Sequence, residues 1–244
     1  MPADTPILVA EGLHKRFGAL VVLDGVGLSI AQGEALGIVG PNGAGKTTLL
    51  SVLSGAQAPN TGSISFRGAD VTALNAAARC RQGLARTHQI PRPFSGMTVF
   101  ENVYVAASQA GSVSRNQAYD LAIDALTLCG MLKIANRPAE TVGLLDRKRL
   151  ELARALATRP SLLLLDEIGG GLTDAESSEL VSTIKELRQR GISIVWIEHI
   201  VHVLLQVAQR LICMDAGKII ADGEPKAVLA DSGVVAAYLG GAAT

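Results

Sequence analysis

The sequence lacks the features that mark disulfide-stabilised, membrane-spanning or general nucleic-acid-binding proteins. Its three cysteines, Cys80, Cys129 and Cys213, are scattered, which argues against a disulfide framework or a zinc cluster and favours a reducing, cytoplasmic setting. No stretch of about 18 residues is continuously apolar, so no transmembrane helix is predicted. Lys and Arg together number 22, as do Asp and Glu, and this balance argues against a partner that is nucleic acid.

Aromatic residues are also scarce, at 3% of the chain, although 48% of the 244 residues are hydrophobic. This apolar content excludes bulk disorder, and the length is sufficient for one domain with a sizeable core. The composition does not explain why a chain without a predicted transmembrane helix contains so many apolar residues.

Two kinds of strand are predicted. Near the amino end, short runs with glycine-rich turns are typical of an antiparallel sheet, at 7–13, 20–30 and 62–68. Three other runs are continuously apolar, as expected of strands buried on both faces, at 34–40, 161–167 and 192–198. A final hairpin is predicted over 210–224, around Ala216 and Gly217.

Helices are predicted between and after these strands. From about 90 to 158 the pattern is helical, and one apolar face is expected to contain Ala118, Ala122, Ala125, Cys129 and Leu132. A helix over 173–191 has capping-box spacing at its start, and another helix is predicted near 200–209. Alternating strands and helices indicate an α/β fold with a mostly parallel sheet, interrupted by an inserted helical subdomain.

The segment GPNGAGKT fits the pattern G-x-x-x-x-G-K-[ST], which is typical of loops that bind nucleotide phosphates. A buried strand precedes it and a predicted helix follows it, an order that a glycine-rich turn with an incidental lysine does not require. Glycines let successive backbone N–H groups converge on phosphate oxygens, and a helix N-terminus adds positive potential. We therefore expect a nucleotide site formed by Gly40, Pro41, Asn42, Gly43, Ala44, Gly45, Lys46, Thr47 and Thr48.

Particular side chains are candidates for the chemistry of a magnesium-bound triphosphate. Lys46 is expected to reach the β- and γ-phosphates, and the Thr47 hydroxyl is expected to ligate Mg²⁺. A buried strand ends in Asp166, a candidate metal ligand, and Glu167, a candidate to orient or deprotonate the attacking water. Because acidic residues also favour helix starts, a purely structural role is the alternative. His199, after another buried strand, is either structural or a donor to the γ-phosphate.

Taken in order, these motifs resemble the ATPase subunits of ABC transporters over essentially the whole chain. The resemblance is carried by GPNGAGKT, ARTHQ (85–89), LELARALATRPSLLLLDE (150–167), GLTD (171–174) and IVWIEH (194–199). It implies a P-loop NTPase core with an antiparallel β subdomain and an inserted helical subdomain. A single domain, 1–244, is then expected, with 1–88 and 159–244 in the core and 89–158 in the helical insert. ATP and Mg²⁺ are the implied cofactors.

The resemblance also assigns individual roles. Phe17 is similar to the aromatic residue that stacks on adenine, although a core position is the alternative. Gln89 is similar to the glutamine that contacts Mg²⁺ or the attacking water, which makes it both a catalytic and a metal-site candidate beside Thr47 and Asp166. Glu167 corresponds to the catalytic glutamate and His199 to the switch histidine.

The segment 142–146 departs from the family pattern. Where such ATPases usually have Leu-Ser-Gly-Gly-Gln, this chain has Val-Gly-Leu-Leu-Asp, so Gly143 lacks the usual hydroxyl and Leu145 adds bulk. In the family this segment closes over the ATP held by the partner subunit. We hypothesise two unequal sites, of which the one completed by this segment is weakened; tolerated variation is the alternative. Ile168 and Thr173 are milder departures in the loop after Glu167.

Three segments resemble the importers for branched-chain and other hydrophobic amino acids, including amide and urea relatives. They are GLARTHQIPRPFSGMTVFENV (83–103), in which His88 replaces the common phenylalanine, LHKRFGALVVLDGV (13–26) and SGVVAAYLG (232–240). This resemblance implies permease partners, a second ATPase subunit and, indirectly, a substrate-binding protein, with the chain peripheral at the cytoplasmic face of the inner membrane. The lipopolysaccharide-export ATPase is the nearest competitor.

The apolar segment 89–104 has two interpretations. The resemblance places the permease contact there, whereas its apolar residues also suit packing inside the helical subdomain. Other function classes are a soluble ABC ATPase acting on ribosomes or DNA, and a regulatory subunit that binds ATP without hydrolysing it. The sequence leaves open the transported substrate, the transport direction and the choice between homodimer and heterodimer.

Overall fold

The computed structural model describes residues 6–240. These residues form ten β-strands: β1 (Pro6–Phe17), β2 (Leu20–Ala31), β3 (Ala35–Val39), β4 (Thr61–Phe66), β5 (Ala69–Asp70), β6 (Leu84–Arg86), β7 (Leu162–Asp166), β8 (Ser193–Ile197), β9 (Arg210–Asp215) and β10 (Lys218–Gly223). They also form nine α-helices: α1 (Lys46–Leu53), α2 (Ala76–Arg81), α3 (Val99–Ala107), α4 (Arg115–Leu128), α5 (Leu144–Ala157), α6 (Asp174–Gln189), α7 (Val201–Leu204), α8 (Pro225–Ala230) and α9 (Ser232–Gly240). None of the described helices is both long and apolar enough to cross a bilayer.

The central sheet has six strands in the order β10-β9-β3-β8-β7-β6. All pairs are parallel except β9 with β10, which form the predicted hairpin. Every residue of β3, β7 and β8 is buried, which confirms the prediction of strands covered on both faces. Because these strands run in the same direction, the segments that follow them meet at one edge of the sheet.

An antiparallel sheet in the order β2-β1-β4-β5 covers one face of the central sheet. Alternate residues of the central strands, such as Leu36 and Ile38, pack with this second sheet and with α1 in one hydrophobic cluster. The intervening residues, such as Ala35 and Val39, belong to a second cluster with the helices on the opposite face. This three-layer arrangement confirms the predicted mixed α/β fold with an antiparallel sheet.

The helical segments agree with the sequence in type and differ in extent. Capping boxes at Thr98, Ser114 and Thr173 begin α3, α4 and α6, the last as predicted. The predicted apolar face of α4 is correct for its first four members but wrong for Leu132, which is 46% exposed. The helix ends at Leu128, and a turn with positive φ at Gly130 redirects the chain before Leu132. The helix predicted near 200–209 is confined to α7.

A buried arginine joins α2 to the end of α1. Arg79 is only 1% exposed, and its guanidinium donates hydrogen bonds to the carbonyl oxygens of Leu74, Val52, Leu53 and Thr72. Two of these acceptors lie at the C-terminal end of α1, where helix carbonyls have no partner within the helix. The positive charge also complements the negative end of the helix dipole.

We therefore expect Arg79→Met to lower the free energy of unfolding by about 3 kcal/mol, because several buried carbonyl groups lose their donor. The measurement is urea denaturation followed by circular dichroism. Arg81→Met removes the same charge from an exposed position of the same helix and should change stability by less than about 0.5 kcal/mol. Equal destabilisation by the two variants would contradict the role given to Arg79.

Candidate functional site

The loop between β3 and α1 is built for close approach of a ligand to its backbone. Gly40, Gly43 and Gly45 have φ values of 145°, 81° and 99°, in the region that favours glycine. A Cβ on Gly40 would lie 2.0 Å from the carbonyl oxygen of Met214, and one on Gly45 would lie 2.5 Å from that of Val22. Gly45 caps α1 without a side-chain hydrogen bond, so the first N–H groups of the helix remain available to an anion.

The predicted phosphate-binding residues border a cavity of about 220 Å³, whose lining is formed by Asn42, Gly43, Ala44, Gly45, Lys46, Thr47, Thr48, Val22 and Glu167. Gly40 and Pro41 do not line the cavity, but their carbonyl oxygens accept hydrogen bonds from the side chain of Lys46. The Lys46 ammonium donates to the carbonyl oxygens of Gly40 (2.7 Å) and Pro41 (2.9 Å). Burial lowers the pKa of Lys46, an effect opposed by the nearby carboxylate of Glu167.

Thr47 and Asp166 come together at the start of α1 and the end of β7. The Thr47 hydroxyl lies 3.4 Å from one oxygen of Asp166, and the other oxygen accepts a hydrogen bond from Arg86 at 2.7 Å. Arg86 also donates to Ser51 of α1, which fixes the carboxylate between two elements. Hydroxyl and carboxylate oxygens are ligands that Mg²⁺ prefers when phosphates and water complete its shell. The pair therefore fits a magnesium ion.

A second constellation forms where β6, β7 and β8 end. The Glu167 carboxylate lies 2.7 Å from Nε2 of His199 through one oxygen and accepts a hydrogen bond from the Gln89 amide through the other. The structure therefore brings together Gln89 and Glu167, both candidates to contact the attacking water, and His199, the candidate donor to the γ-phosphate. Gln89, expected also at the metal, contacts Glu167 here.

Glu167 itself has a backbone conformation that is uncommon for its residue type. Its φ is 47°, in the left-handed region. Its N–H donates to the carbonyl oxygen of Ile197, and its own carbonyl oxygen accepts from the ammonium of Lys148. Backbone strain of this kind concentrates at functional sites when the surroundings hold it in place.

Phe17 lies at the exposed end of the β1–β2 hairpin, and Val22 of the same hairpin lines the cavity. Its side chain is 47% exposed, so the alternative of a core position is wrong. Leu20 and Val21 at the same hairpin end are exposed as well, and the Lys15 ammonium lies 5.2 Å from the centre of the Phe17 ring. An exposed aromatic ring on the hairpin that borders the cavity is suited to stack on a base.

The segment 142–146 lies apart from this cavity, since none of its residues contributes to the lining. Gly143 is the N-cap of α5, and a Cβ built on it meets no atom within 4 Å. Leu144 is exposed and approaches Gly171 of the loop after Glu167, while Leu145 is partly exposed. Val142 is buried in the hydrophobic core, whereas Gly143 and Leu144 face outward, with room for a side chain at position 143.

Four residues that take part in the site had no predicted role: Arg86, Lys148, Glu198 and Tyr238. All but Lys148 fall inside segments that carry the family resemblance, yet their partners are distant in the sequence. Tyr238 of α9 shows this most clearly, because its hydroxyl accepts a hydrogen bond from the N–H of Gly40 at 2.8 Å across 198 positions. The phosphate loop is therefore fastened at its first residue by the last described helix.

Comparisons with known proteins agree with this geometry. The family profile described as ABC transporter matches residues 23–169. The chain is 36% identical over 250 residues to the high-affinity branched-chain amino acid transport ATP-binding protein LivG of Escherichia coli K12, covering 96% of this chain and 98% of the relative. It is 32% identical over 234 residues to the lipopolysaccharide export system ATP-binding protein LptB of Haemophilus influenzae, with 96% and 97% covered.

A solved structure extends the similarity to three dimensions. The ADP conformation of MJ1267, an ATP-binding cassette of an ABC transporter, matches with a TM-score of 0.86 and 31% identity. The match covers 97% of this chain and 99% of that one.

The phosphate loop yields a test of its backbone geometry. We expect Gly40→Ala to lower the free energy of unfolding by more than about 3 kcal/mol, because the new Cβ would overlap the Met214 carbonyl. Gly43→Ala is the matched control, since its Cβ would meet nothing within 4 Å and only the positive φ, worth about 1 to 2 kcal/mol, opposes it. Urea denaturation of both variants is the measurement. Equal losses at the two positions would show that the contact with Met214 is unimportant.

Proposed function

We propose that this chain, which belongs to the ABC transporter family, is the ATP-binding and ATP-hydrolysing subunit of an importer. The proposed cargo is branched-chain or other hydrophobic amino acids or related amides. The observation that carries the proposal is the convergence of Gln89, Glu167 and His199 beside the phosphate loop. The near full-length similarity to LivG, whose name specifies branched-chain amino acid transport, supports the substrate class.

ATP binding is assigned to the loop between β3 and α1. Residues 42–48 line the cavity, and backbone N–H groups of this loop would donate to phosphate oxygens, as loops with this glycine pattern do. Lys46 would exchange its contacts with the Gly40 and Pro41 carbonyls for the β- and γ-phosphates. Phe17 would stack on the adenine, since its exposed ring lies at the hairpin that borders the cavity.

Mg²⁺ would be held by Thr47 and Asp166, with Gln89 as a further ligand. When bound, the ion neutralises charge on the phosphates. Arg86 forms an ion pair with Asp166 at 2.7 Å, which keeps the carboxylate in place to act as a ligand.

Hydrolysis requires a water molecule that is aligned with the γ-phosphate. Glu167 would accept the proton of that water or orient it, and the Gln89 amide would hold the carboxylate in the correct rotamer. His199 would donate a hydrogen bond to the γ-phosphate, where negative charge must be stabilised as the bond to the leaving group breaks. The structure places these groups on segments after three neighbouring strands, which gives them a rigid common support.

The permease contact is assigned to the exposed part of 89–104. Ile90 is 68% exposed, and Phe94 and Met97 are exposed too, whereas Val99 and Val103 are buried in the helical cluster. Packing inside the helical subdomain therefore accounts for the buried side chains, and the exposed ones are available for the proposed permease contact. An apolar groove of about 240 Å³ lies beside it, between α2, β6 and α5. A short permease helix suits such a groove, which would place the chain peripherally at the cytoplasmic face of the inner membrane.

The hypothesis of two unequal sites extends this proposal. A partner ATPase subunit would complete the site of this chain, and 142–146 of this chain would complete the partner's site. Gly143 offers no hydroxyl there, and Leu144 and Leu145 present apolar side chains. The site completed by this segment should therefore stabilise the transition state less well.

Lipopolysaccharide export is the second candidate, favoured by the similarity to LptB. Purification of the tagged chain from membranes distinguishes the two, since copurification of lipopolysaccharide-export membrane proteins would favour the second candidate. Copurification of two permeases and a leucine-binding protein, with ATP-dependent leucine uptake by the reconstituted complex, is the result expected for the importer. Copurification with ribosomes or DNA would instead indicate the soluble class of ABC ATPase.

Replacing the candidate catalytic carboxylate tests the enzymatic part of the proposal. In the assembled complex Glu167→Gln should lower ATP turnover by about 10²-fold or more, because the amide cannot accept the proton of water. ATP binding should persist, since the phosphate loop is unchanged. Turnover is measured by phosphate release and binding by equilibrium dialysis.

Glu186→Gln is the control for this variant, because it makes the same change on the exposed face of α6. It should leave turnover within about twofold of the original. Unchanged turnover in Glu167→Gln would lead us to abandon both the catalytic role and the hypothesis of unequal sites. Nucleotide binding without any turnover in the unmodified complex would favour the regulatory subunit.

Restoring the missing hydroxyl tests the weakened site. Gly143→Ser should raise turnover of the assembled complex by about three- to tenfold, because a new hydroxyl can reach the γ-phosphate of the partner's ATP. The site has room for the side chain, and serine is a favourable N-cap for α5. Gly143→Ala adds the same Cβ without the hydroxyl and should leave turnover unchanged. Equal turnover in the serine and alanine variants would favour tolerated variation.

A further inference from the structure

The loop that follows Glu167 is held between two buried side chains of opposite charge. From one side, the ammonium of Lys148, 5% exposed on α5, donates to the carbonyl oxygen of Glu167 at 3.2 Å. From the other side, the carboxylate of Glu198, 2% exposed after β8, accepts the N–H of Gly169 at 2.6 Å. Buried ionised groups are retained only where partners compensate their desolvation.

The carboxylate of Glu198 lies close to the backbone of Gly169 in this loop. A Cβ on Gly169 would lie 2.6 Å from the Glu198 carboxylate, so any larger residue at that position would displace this carboxylate. The second carboxylate oxygen accepts the N–H of His199, which joins the same group to the residue opposite Glu167. Burial raises the pKa of Glu198, while these N–H donors and the positive charge of Lys148 act in the opposite direction.

Lys148 approaches from the helical side of the loop. Its ammonium lies 4.0 Å from the position of a Cβ on Gly170. Burial lowers the pKa of Lys148, and the carboxylates of Glu198 and Glu167 oppose that effect. The two buried groups therefore favour each other's charged form across the loop that they both contact.

The backbone conformation of Glu167 explains why the loop after it needs support from both sides. Glu167 has a positive φ. Its side chain needs one particular orientation for the carboxylate to contact both His199 and Gln89. A residue in this conformation relaxes unless its neighbours prevent it. The hydrogen bond from Lys148 fixes the carbonyl side of Glu167, and the one accepted by Glu198 fixes the chain two residues later.

We propose that Lys148 and Glu198 are positioning residues, which hold the loop after Glu167 so that its carboxylate stays aligned for hydrolysis. The inference rests on the proposed hydrolytic function and adds to it two residues that do not touch the nucleotide. It predicts a loss in the rate of the chemical step with nucleotide affinity preserved, because the phosphate loop is a separate segment.

The test uses the full chain in its assembled complex and compares Lys148→Met with Lys148→Arg. The methionine variant should lower kcat by about 10²-fold, as expected when a catalytic group is displaced by about 1 Å. Its Kd for a non-hydrolysable ATP analogue should stay within about twofold of the original, because its phosphate contacts are intact. Arginine keeps a donor and a positive charge and should retain kcat within about fivefold.

Two further variants complete the design. Lys185→Met removes an exposed lysine from α6 and should leave kcat and Kd unchanged. Glu198→Gln keeps an oxygen for Gly169 but removes the charge, and it should lower kcat by about tenfold. In the double variant Lys148→Met, Glu198→Gln the loss should be smaller than the product of the single losses, because neither charge remains buried alone.

The possible results distinguish a failure of the positioning role from a failure of the proposed function on which it rests. Absence of both ATP binding and turnover in the unmodified complex would overturn the proposed function. With the unmodified complex active, equal kcat in Lys148→Met and Lys185→Met would overturn the positioning role alone. A parallel loss of affinity and kcat would indicate a general structural role and overturn it too. If Lys148→Met does not fold, Glu198→Gln decides by the same two readouts.

Discussion

The site depends on the burial of one short strand between two parallel neighbours. Because β3 pairs with β8 on one side and β9 on the other, its carboxyl end is fixed in the middle of the sheet edge. The next residue, Gly40, then lies so close to the carbonyl of Met214 on β9 that no side chain fits. The Tyr238 hydroxyl and the Lys46 ammonium satisfy the N–H and the carbonyl oxygen of this glycine. The shape of the phosphate loop is thus a property of the sheet as much as of the loop.

Charge is distributed in pairs around this edge. Asp166 is paired with Arg86, and Glu167 is near the buried Lys46 and Lys148.

Helix α5 connects these pairs to the exposed apolar segment, because Arg154 donates to the Arg92 carbonyl oxygen and lies 4.7 Å from the ring of Phe94. One helix therefore contacts the loop after Glu167 near its start and the segment 89–104 near its end.

The sequence predicted the parts of the molecule whose signals are local. Continuous apolar runs located the buried strands, and the glycine pattern located the phosphate loop, because strand burial and turn geometry leave marks on adjacent residues. The family resemblance added Gln89 and His199, which the structure brings to Glu167. The contacts of Lys148, Glu198 and Tyr238 escaped prediction, since each depends on a partner distant in the chain. Leu132 was placed wrongly because helical periodicity continued past the point where the backbone turns.

The central position of β3 also sets an order of events during synthesis. Gly33, just before this strand, bonds to Ser193 across 160 positions, and Gly40 bonds to Tyr238 across 198. At a translation rate of about 5 to 20 residues per second, β3 emerges roughly 8 to 35 s before β8 and β9, the strands that cover its edges. During that interval the nascent chain carries an unpaired strand, which is prone to pair with other chains. The hydrogen bond between Gly40 and Tyr238 forms only after α9 has left the ribosome, so a chain truncated before Tyr238 lacks this support for the phosphate loop.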